Sequence, residues 1–333
     1  MKAYTIERYS KTAPLKLSEL PKPTVKANEI LIEIHAAGIN QLDAKIKSGE
    51  FKMMLKYRMP LILGHDVAGV VVEIGTNVTR FKVGDEVYSR PADYHIGGFA
   101  EFISVDEKDV ALKPKNISMD EAASLPLVSL TVWQAFMEKG HLRKGQKVFI
   151  QAGSGGVGSI AIQLAKHLGA TVATTASKGN FDLVKNLGAD VVIDYKTQDF
   201  ENILQDYDLV LNSQDVKSLE KSLRILKSGG KVVSISGPPD PAFAEEMGLP
   251  WLLRLILGFI SKKARRQAEK LGVRYSFLFM KANGRELAEI TKLVEANVLK
   301  PVVDKVYHFG EMNEALDYVN SGRARGKVVV QVR

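Results

Sequence analysis

Apolar and polar positions along this chain fall into two regimes. Up to about residue 124 the apolar stretches are short and sit close together between glycines and prolines. Residues 29–35 alternate as a strand, and 67–74 form a second one, turned by Gly75, Thr76 and Asn77. Residues 82–88 read as a turn running into a strand, and 97–102 open another; a helix-like segment, 41–48, stands ahead of Gly49. Short strands so closely spaced predict a mostly β, barrel-like domain. After residue 119 the rhythm changes. Strand-like runs at 147–151, 171–175, 190–194, 209–212, 231–235 and 273–280 alternate with helical runs at 131–139, 157–168, 181–187 and 217–226. That alternation predicts a parallel sheet with helices on both faces. The pair Gly229-Gly230 reads as the stop of one helix, and 249–271 as a single helical piece. A last helix at 285–296, followed by 305–309, 312–321 and 327–332, returns the chain to the first domain.

The most informative stretch joins the first parallel strand to its helix. Gly153, Gly155 and Gly158 carry the G-x-G-x-x-G spacing, with Ser154, Gly156 and Val157 between them. Glycine at the first place allows a sharp turn, and at the second a close approach of backbone to a pyrophosphate. At the third it allows tight helix–strand packing, while free N–H groups of the helix start face the anion. A strand before and a helix after make this a dinucleotide site. An NAD-type site needs a carboxylate about 20 residues further on. Residues 173–178 supply only Ala, Thr, Ser and Lys, including Ser177 and Lys178. A hydroxyl and an ammonium suit a 2′-phosphate, with Tyr195 closing the pocket, so NADP(H) is the expected cofactor and Lys178 as a solvated loop residue the plainer alternative.

Composition narrows the partners. Of 333 residues, 45% are hydrophobic and 25% charged, as in an ordinary globular protein of about two domains. No apolar run is long enough to span a bilayer, and the N-terminus has no signal-peptide character; a cytoplasmic location is expected. There is no cysteine, which removes thiolate nucleophiles and every cysteine-containing zinc site. The net charge of +8 is scattered, apart from Lys262, Lys263, Arg265 and Arg266. That pattern fits a positive cofactor cleft and argues against nucleic acid as a main partner.

Gly64-His65-Asp66-Val67-Ala68-Gly69, with 36–43 upstream and the glycine loop, resembles the medium-chain dehydrogenase/reductase superfamily. Its zinc members bind metal through a histidine at the place of His65 and a cysteine where this chain has Asn40. A lone His65 cannot hold a tetrahedral zinc, so it reads as a structural or cleft histidine, and no metal is expected. The segments Asn40-Gln41-Leu42-Asp43-Ala44-Lys45, Leu187-Gly188-Ala189-Asp190 and Gly326-Lys327-Val328-Val329 are similar to the zinc-free branch of quinone oxidoreductases and alkenal/enone reductases. The tail 322–327 and the segment 275–280 look like the mitochondrial reticulon-interacting oxidoreductases. The resemblance implies a GroES-like catalytic domain over 1–124 and 285–333 and an NADPH-binding Rossmann domain over 125–284. It implies pyrophosphate contacts from Ser154, Gly156 and Val157, and 2′-phosphate contacts from Ser177 and Tyr195. Ser213, Ile235, Phe277 and Phe279 would line the cofactor, and Arg323, Ala324 and Arg325 would reach it from the returning tail. Plant alkenal reductases carry a phosphate-binding lysine where this chain has Asn180.

A hydride acceptor gains negative charge on its carbonyl oxygen, and donors aimed there stabilise the transition state. Asn40, Asp43, Lys45 and Thr131 are the candidates, with Asp43 and Lys45 as a surface pair at a helix start the alternative. The expected activity is reduction of a quinone or an α,β-unsaturated aldehyde or ketone by a homodimer. An NADPH-occupied sensor and a zinc-free carbonyl reductase remain open. Between 238 and 272 the chain is longer than in the plant reductases. There Trp251, Leu252, Leu255, Ile256, Phe259 and Ile260 recur at helical spacing. Core packing or a subunit contact is expected, with a lid or an interfacial membrane helix as alternatives.

Overall fold

The computed structural model of the chain describes all 333 residues. In chain order, β1 (Lys2–Ile6), β2 (Lys16–Glu19) and β3 (Glu29–Ile39) lead into α1 (Gln41–Ser48). Then come β4 (Leu61–Ile62), β5 (Asp66–Ile74), β6 (Glu86–Ser89), β7 (Phe102–Asp106) and β8 (Val110–Leu112), followed by α2 (Met119–Ala123) and α3 (Pro126–Trp133). The alternating part holds β9 (Lys147–Ile150), α4 (Gly156–His167), β10 (Thr171–Ala176), α5 (Phe181–Asn186), β11 (Val191–Asp194) and β12 (Tyr207–Asn212). It continues through α6 (Val216–Arg224), β13 (Leu226–Ser234), α7 (Pro241–Glu246), α8 (Trp251–Ile260), α9 (Lys262–Lys270) and β14 (Arg274–Phe277). The chain closes with α10 (Gly284–Glu295), β15 (Val303–His308), α11 (Met312–Asn320) and β16 (Lys327–Gln331).

These elements form two compact units, Met1–Leu130 with Lys281–Arg333, and Thr131–Met280. The division falls inside α3. In the first unit seven strands follow the order β15-β16-β3-β5-β6-β8, with β7 also on β3; a second sheet is β2-β1-β4. All neighbours pair antiparallel except β15 and β16. β3 is the spine, because Ile30, Ile32 and Ile34 meet Val67, Val71, Val87, Ile103 and Val105 in one core.

The second unit is one sheet of six strands in the order β11-β10-β9-β12-β13-β14, every pair parallel. This is the doubly wound order, with its reversal between β9 and β12. Phe149, Val210, Val232, Leu219 and Leu223 bury one face under α6 and α9.

Four local readings change. α3 stops at Trp133 and widens into a π-helical turn over Gln134–Gly140, where a Cβ on Gly140 would stand 2.7 Å from Ala135 O. Gly229-Gly230 is not a helix stop: β13 already starts at Leu226, and the pair lies in a bulge where Tyr207 faces Leu226 but Leu209 faces Lys231. The piece 249–271 is two helices, with Ser261 between them bonding back to Leu257 O. Core packing for α8 is overturned, since Leu257 alone of its residues is buried.

Gly38 is where β3 and α2 touch: a Cβ there would stand 2.3 Å from Ala123 O. Gly38→Ala is therefore expected to cost about 1–3 kcal/mol by overpacking, read as a lower urea midpoint at unchanged slope; an unmoved midpoint would show that the strand yields.

Candidate functional site

The turn out of β9 differs in detail from the usual glycine assignment. Ala152, not Gly153, takes the left-handed conformation, with φ of 51°, and its N–H is held by Thr175 Oγ1 at 3.0 Å. Gly153 is required for space, since a Cβ would stand 2.2 Å from Thr174 Oγ1, a hydroxyl fixed by its own bond to Ile150 O. At Gly158 a Cβ would stand 2.3 Å from Ala152 O, so the helix sits against the loop. Gly155 is open, with only Ala152 O within reach, at 3.3 Å. The first intrahelical bond runs from Ser159 N to Gly155 O. Gly156, Val157 and Gly158 thus present N–H groups that no side chain caps, and the helix start is built to receive an anion.

The other cofactor candidates of this unit follow the carboxyl ends of its strands, where ligands bind in open parallel sheets. Ser177 and Lys178 follow β10, Tyr195 follows β11, Ser213 follows β12, Ile235 follows β13 and Phe279 lies beyond β14. Lys178 and Tyr195 are exposed. Phe277 is buried against Phe243, with ring centroids 5.0 Å apart, so its ring belongs to the core; Phe279, 6.0 Å from Phe243, is the more accessible of the two.

Of three amides at this edge, Asn212 and Gln151 escaped the sequence reading, and Asn180 entered it only as the place of a lysine in the plant reductases. Asn180 Nδ2 reaches Ser154 Oγ at 3.1 Å and Ser177 Oγ at 3.3 Å, while its buried Oδ1 has no partner. Asn212 Nδ2 holds Ser234 Oγ and Ser236 Oγ, both at 3.0 Å, and its Oδ1 is likewise unpartnered. Gln151 pins the loop after β12 by accepting from Ser213 N and Gln214 N. A buried amide with one end unbonded is costly, and that was the available signal: polar residues at strand ends in an otherwise apolar pattern.

In the first unit, Asn40 and Asp43 belong to a buried cluster at the corner where β3 becomes α1. Asp43 is fully buried and accepts from Asn40 N at 2.8 Å and Gly64 N at 3.2 Å, with His65 Nδ1 at 2.6 Å. It is not half of a surface pair with Lys45. Asn40 Nδ2 donates to Asp66 Oδ2 at 2.8 Å, and Asn40 Oδ1 accepts from Lys327 Nζ at 2.5 Å. Lys327 Nζ also reaches Ile39 O and Asp66 Oδ2, and Asp66 Oδ1 accepts from Leu127 N at 2.7 Å. Lys327 was a further omission, legible only once β16 is paired beside β3. A buried ion pair is tolerable because each polar side-chain atom of the cluster has a hydrogen-bond partner; His65 Nε2 is the exception. Lys45 is half-buried on α1. Thr131 is buried in α3. Arg323 and Arg325 are exposed and Ala324 half-buried between α11 and β16, where Arg325 N donates to Asp304 Oδ2.

Residues 26–115 match the family described as "Alcohol dehydrogenase GroES-like domain" and 187–330 that described as "Zinc-binding dehydrogenase". The zinc of that description does not fit this donor set, which lacks cysteine and any group of three or more His, Asp or Glu able to hold a metal. The chain is 37% identical to a 2-methylene-furan-3-one reductase of Solanum lycopersicum, over 99% of its length and 79% of that protein. It is 35% identical to an NADPH-dependent alkenal/one oxidoreductase, chloroplastic, of Arabidopsis thaliana, over 99% and 79%. A solved structure of the quinone oxidoreductase from Coxiella burnetii superposes with a TM-score of 0.86 at 31% identity, covering 100% of this chain and 99% of that one. The parallel sheet with its glycine-bounded helix and the mixed sheet that precedes and follows it in sequence are therefore those of a known lineage: the chain belongs to the medium-chain dehydrogenase/reductase superfamily and is an oxidoreductase.

Proposed function

We propose that the chain is a zinc-independent, NADPH-dependent reductase of quinones or of α,β-unsaturated aldehydes and ketones. The observation that carries this reading is the uncapped start of α4 beside a β10 end that offers hydroxyl, amide and ammonium groups but no carboxylate. The cofactor is NADP(H), which when bound supplies the hydride. Gly156, Val157 and Gly158 would donate backbone N–H groups to its pyrophosphate. Ser177, Asn180 and Lys178 would receive the 2′-phosphate, with Tyr195 at the rim. Asn180 can do so with either amide orientation against its two serines, because a hydroxyl both donates and accepts. Ser213, Ile235 and Phe279 would border the remainder, Phe277 supporting from beneath. The reach of Arg323, Ala324 and Arg325 to the cofactor stays part of the proposal.

The catalytic candidates divide by their bonding. Asn40 and Asp43 have their polar atoms engaged within the cluster, so their role is to hold the start of α1 in place. Lys45, on that helix, carries an ammonium with no carboxylate partner and is the proposed donor to the acceptor's developing oxyanion. Thr131 is proposed as a second donor. The homodimer and the cytoplasmic location are likewise inferences; sedimentation should give twice 36.7 kDa, and a single-chain mass would refute the dimer.

Oxidation of NADPH with a panel of quinones, enals and enones, followed by product identification, tests the activity. Turnover of one or both classes is expected; NADPH binding without any turnover would leave a sensor in its place. Asn180→Lys should lower the KM for NADPH roughly tenfold by adding a charge-assisted bond, with NADH unchanged; equal effects on both cofactors would remove Asn180 from the phosphate pocket. Lys327→Met leaves Asp66 buried and unpaired. It should cost about 3–5 kcal/mol of stability in urea unfolding, whereas a neutral change would show that the corner does not depend on its ammonium.

A further inference from the structure

α8 is an apolar helix almost entirely on the surface. Trp251 is 72% and Phe259 76% exposed, and Leu252, Leu255, Ile256 and Ile260 are exposed beside them. Its packing is chiefly against α7 and α9. Six such side chains expose on the order of several hundred Å², as much as or more than the largest apolar patch of a typical monomer.

The charges on α8 and α9 are almost all of one sign, and of the two exposed carboxylates on the neighbouring α7, Glu245 and Glu246, the second pairs with Lys139. Between residues 249 and 271 the charged residues are Arg254, Lys262, Lys263, Arg265, Arg266 and Lys270, against Glu269 alone. Lys263 is answered by Glu220, and Arg265 is turned back on Ser261 Oγ and Gly258 O. Arg254 bonds Leu249 O; Lys262 lies over the ring of Phe259, 6.0 Å from its centre. Arg254, Lys262, Arg266 and Lys270 have no carboxylate partner.

We propose that α8 and the start of α9 dock on the surface of an anionic bilayer, with the apolar side chains in the headgroup boundary and the cations on lipid phosphates. Three features favour this occupant. The helix has ten residues, about 15 Å, too short to cross a bilayer but suited to lie in its surface. Its exposed apolar residues include a tryptophan, and its basic residues follow directly, the distribution of an interfacial helix. A two-fold contact with a second copy would pair the same patch with itself and set these cations against their own kind, whereas anionic headgroups neutralise them at about 1 kcal/mol for each lysine or arginine near the surface. The docking does not depend on which acceptor the enzyme reduces.

Flotation of the full chain with vesicles of phosphatidylcholine containing phosphatidylglycerol, against vesicles of phosphatidylcholine alone, tests it. The protein should float with the first and not the second, and release as salt rises. Of its two tryptophans, Trp251 should shift its emission to the blue on binding, a shift that Trp251→Phe abolishes. The double variants Trp251→Ala/Phe259→Ala and Lys262→Glu/Arg266→Glu alter exposed positions only; each should weaken partition about tenfold or more while keeping the wild-type circular dichroism and thermal midpoint. No flotation with either vesicle, or flotation unaltered by both double variants, overturns the proposal. So does a fall in sedimentation mass in Trp251→Ala/Phe259→Ala, which would make α8 a contact between copies.

Discussion

The approach of the β9–α4 turn to its neighbours is the constraint on which the nucleotide-binding unit depends. Thr174 Oγ1 and Ala152 O occupy the places where side chains at positions 153 and 158 would begin. Only glycine lets the strand, turn and helix close on one another there. Closure leaves three amides of the first turn facing outward, and the doubly wound strand order gathers the ends of the other strands along the same edge. Backbone packing thus leaves a helix start suited to an anion, and the proposed role of the side chains at the edge is to tune which anion is taken.

The other unit rests on a different kind of bond. Lys327 comes from near the end of the chain and lies beside Asn40 and Asp66, which are far earlier in sequence. Its ammonium lies inside the cluster, and the carboxylate of Asp43 accepts from the backbone N–H groups of Gly64 and Asn40 and faces His65 Nδ1. The histidine that resembles a metal ligand is here spent on orienting a carboxylate. The corner holds the start of α1, the helix that carries Lys45.

Much of this was readable from residue order. The parallel strands, α1 and α4 follow from hydrophobic period and glycine punctuation, which are local properties. The failures share a cause. Gly229-Gly230 looked like a helix stop because a bulge is defined by the facing strand, which local pattern cannot show. The alternative of Asp43 as one of a surface pair stood open because nothing near it in sequence announces His65 or the burial around it. Core packing, one of the two roles expected for α8, failed because spacing marks a face but not what covers it. Asn212 and Gln151 were passed over, and Asn180 was noted only for the lysine it replaces, because an amide becomes informative only when its second end is seen to lack, or to find, a partner.

On the proposed function, the edge of the parallel sheet selects a 2′-phosphorylated dinucleotide. Calorimetric titration of the purified chain with NADPH and NADH measures this directly. NADPH should bind at least about tenfold more tightly than NADH, the worth of one charge-assisted contact to the phosphate, with the difference shrinking as salt is raised. Equal affinities at low salt, or tighter binding of NADH, would contradict it.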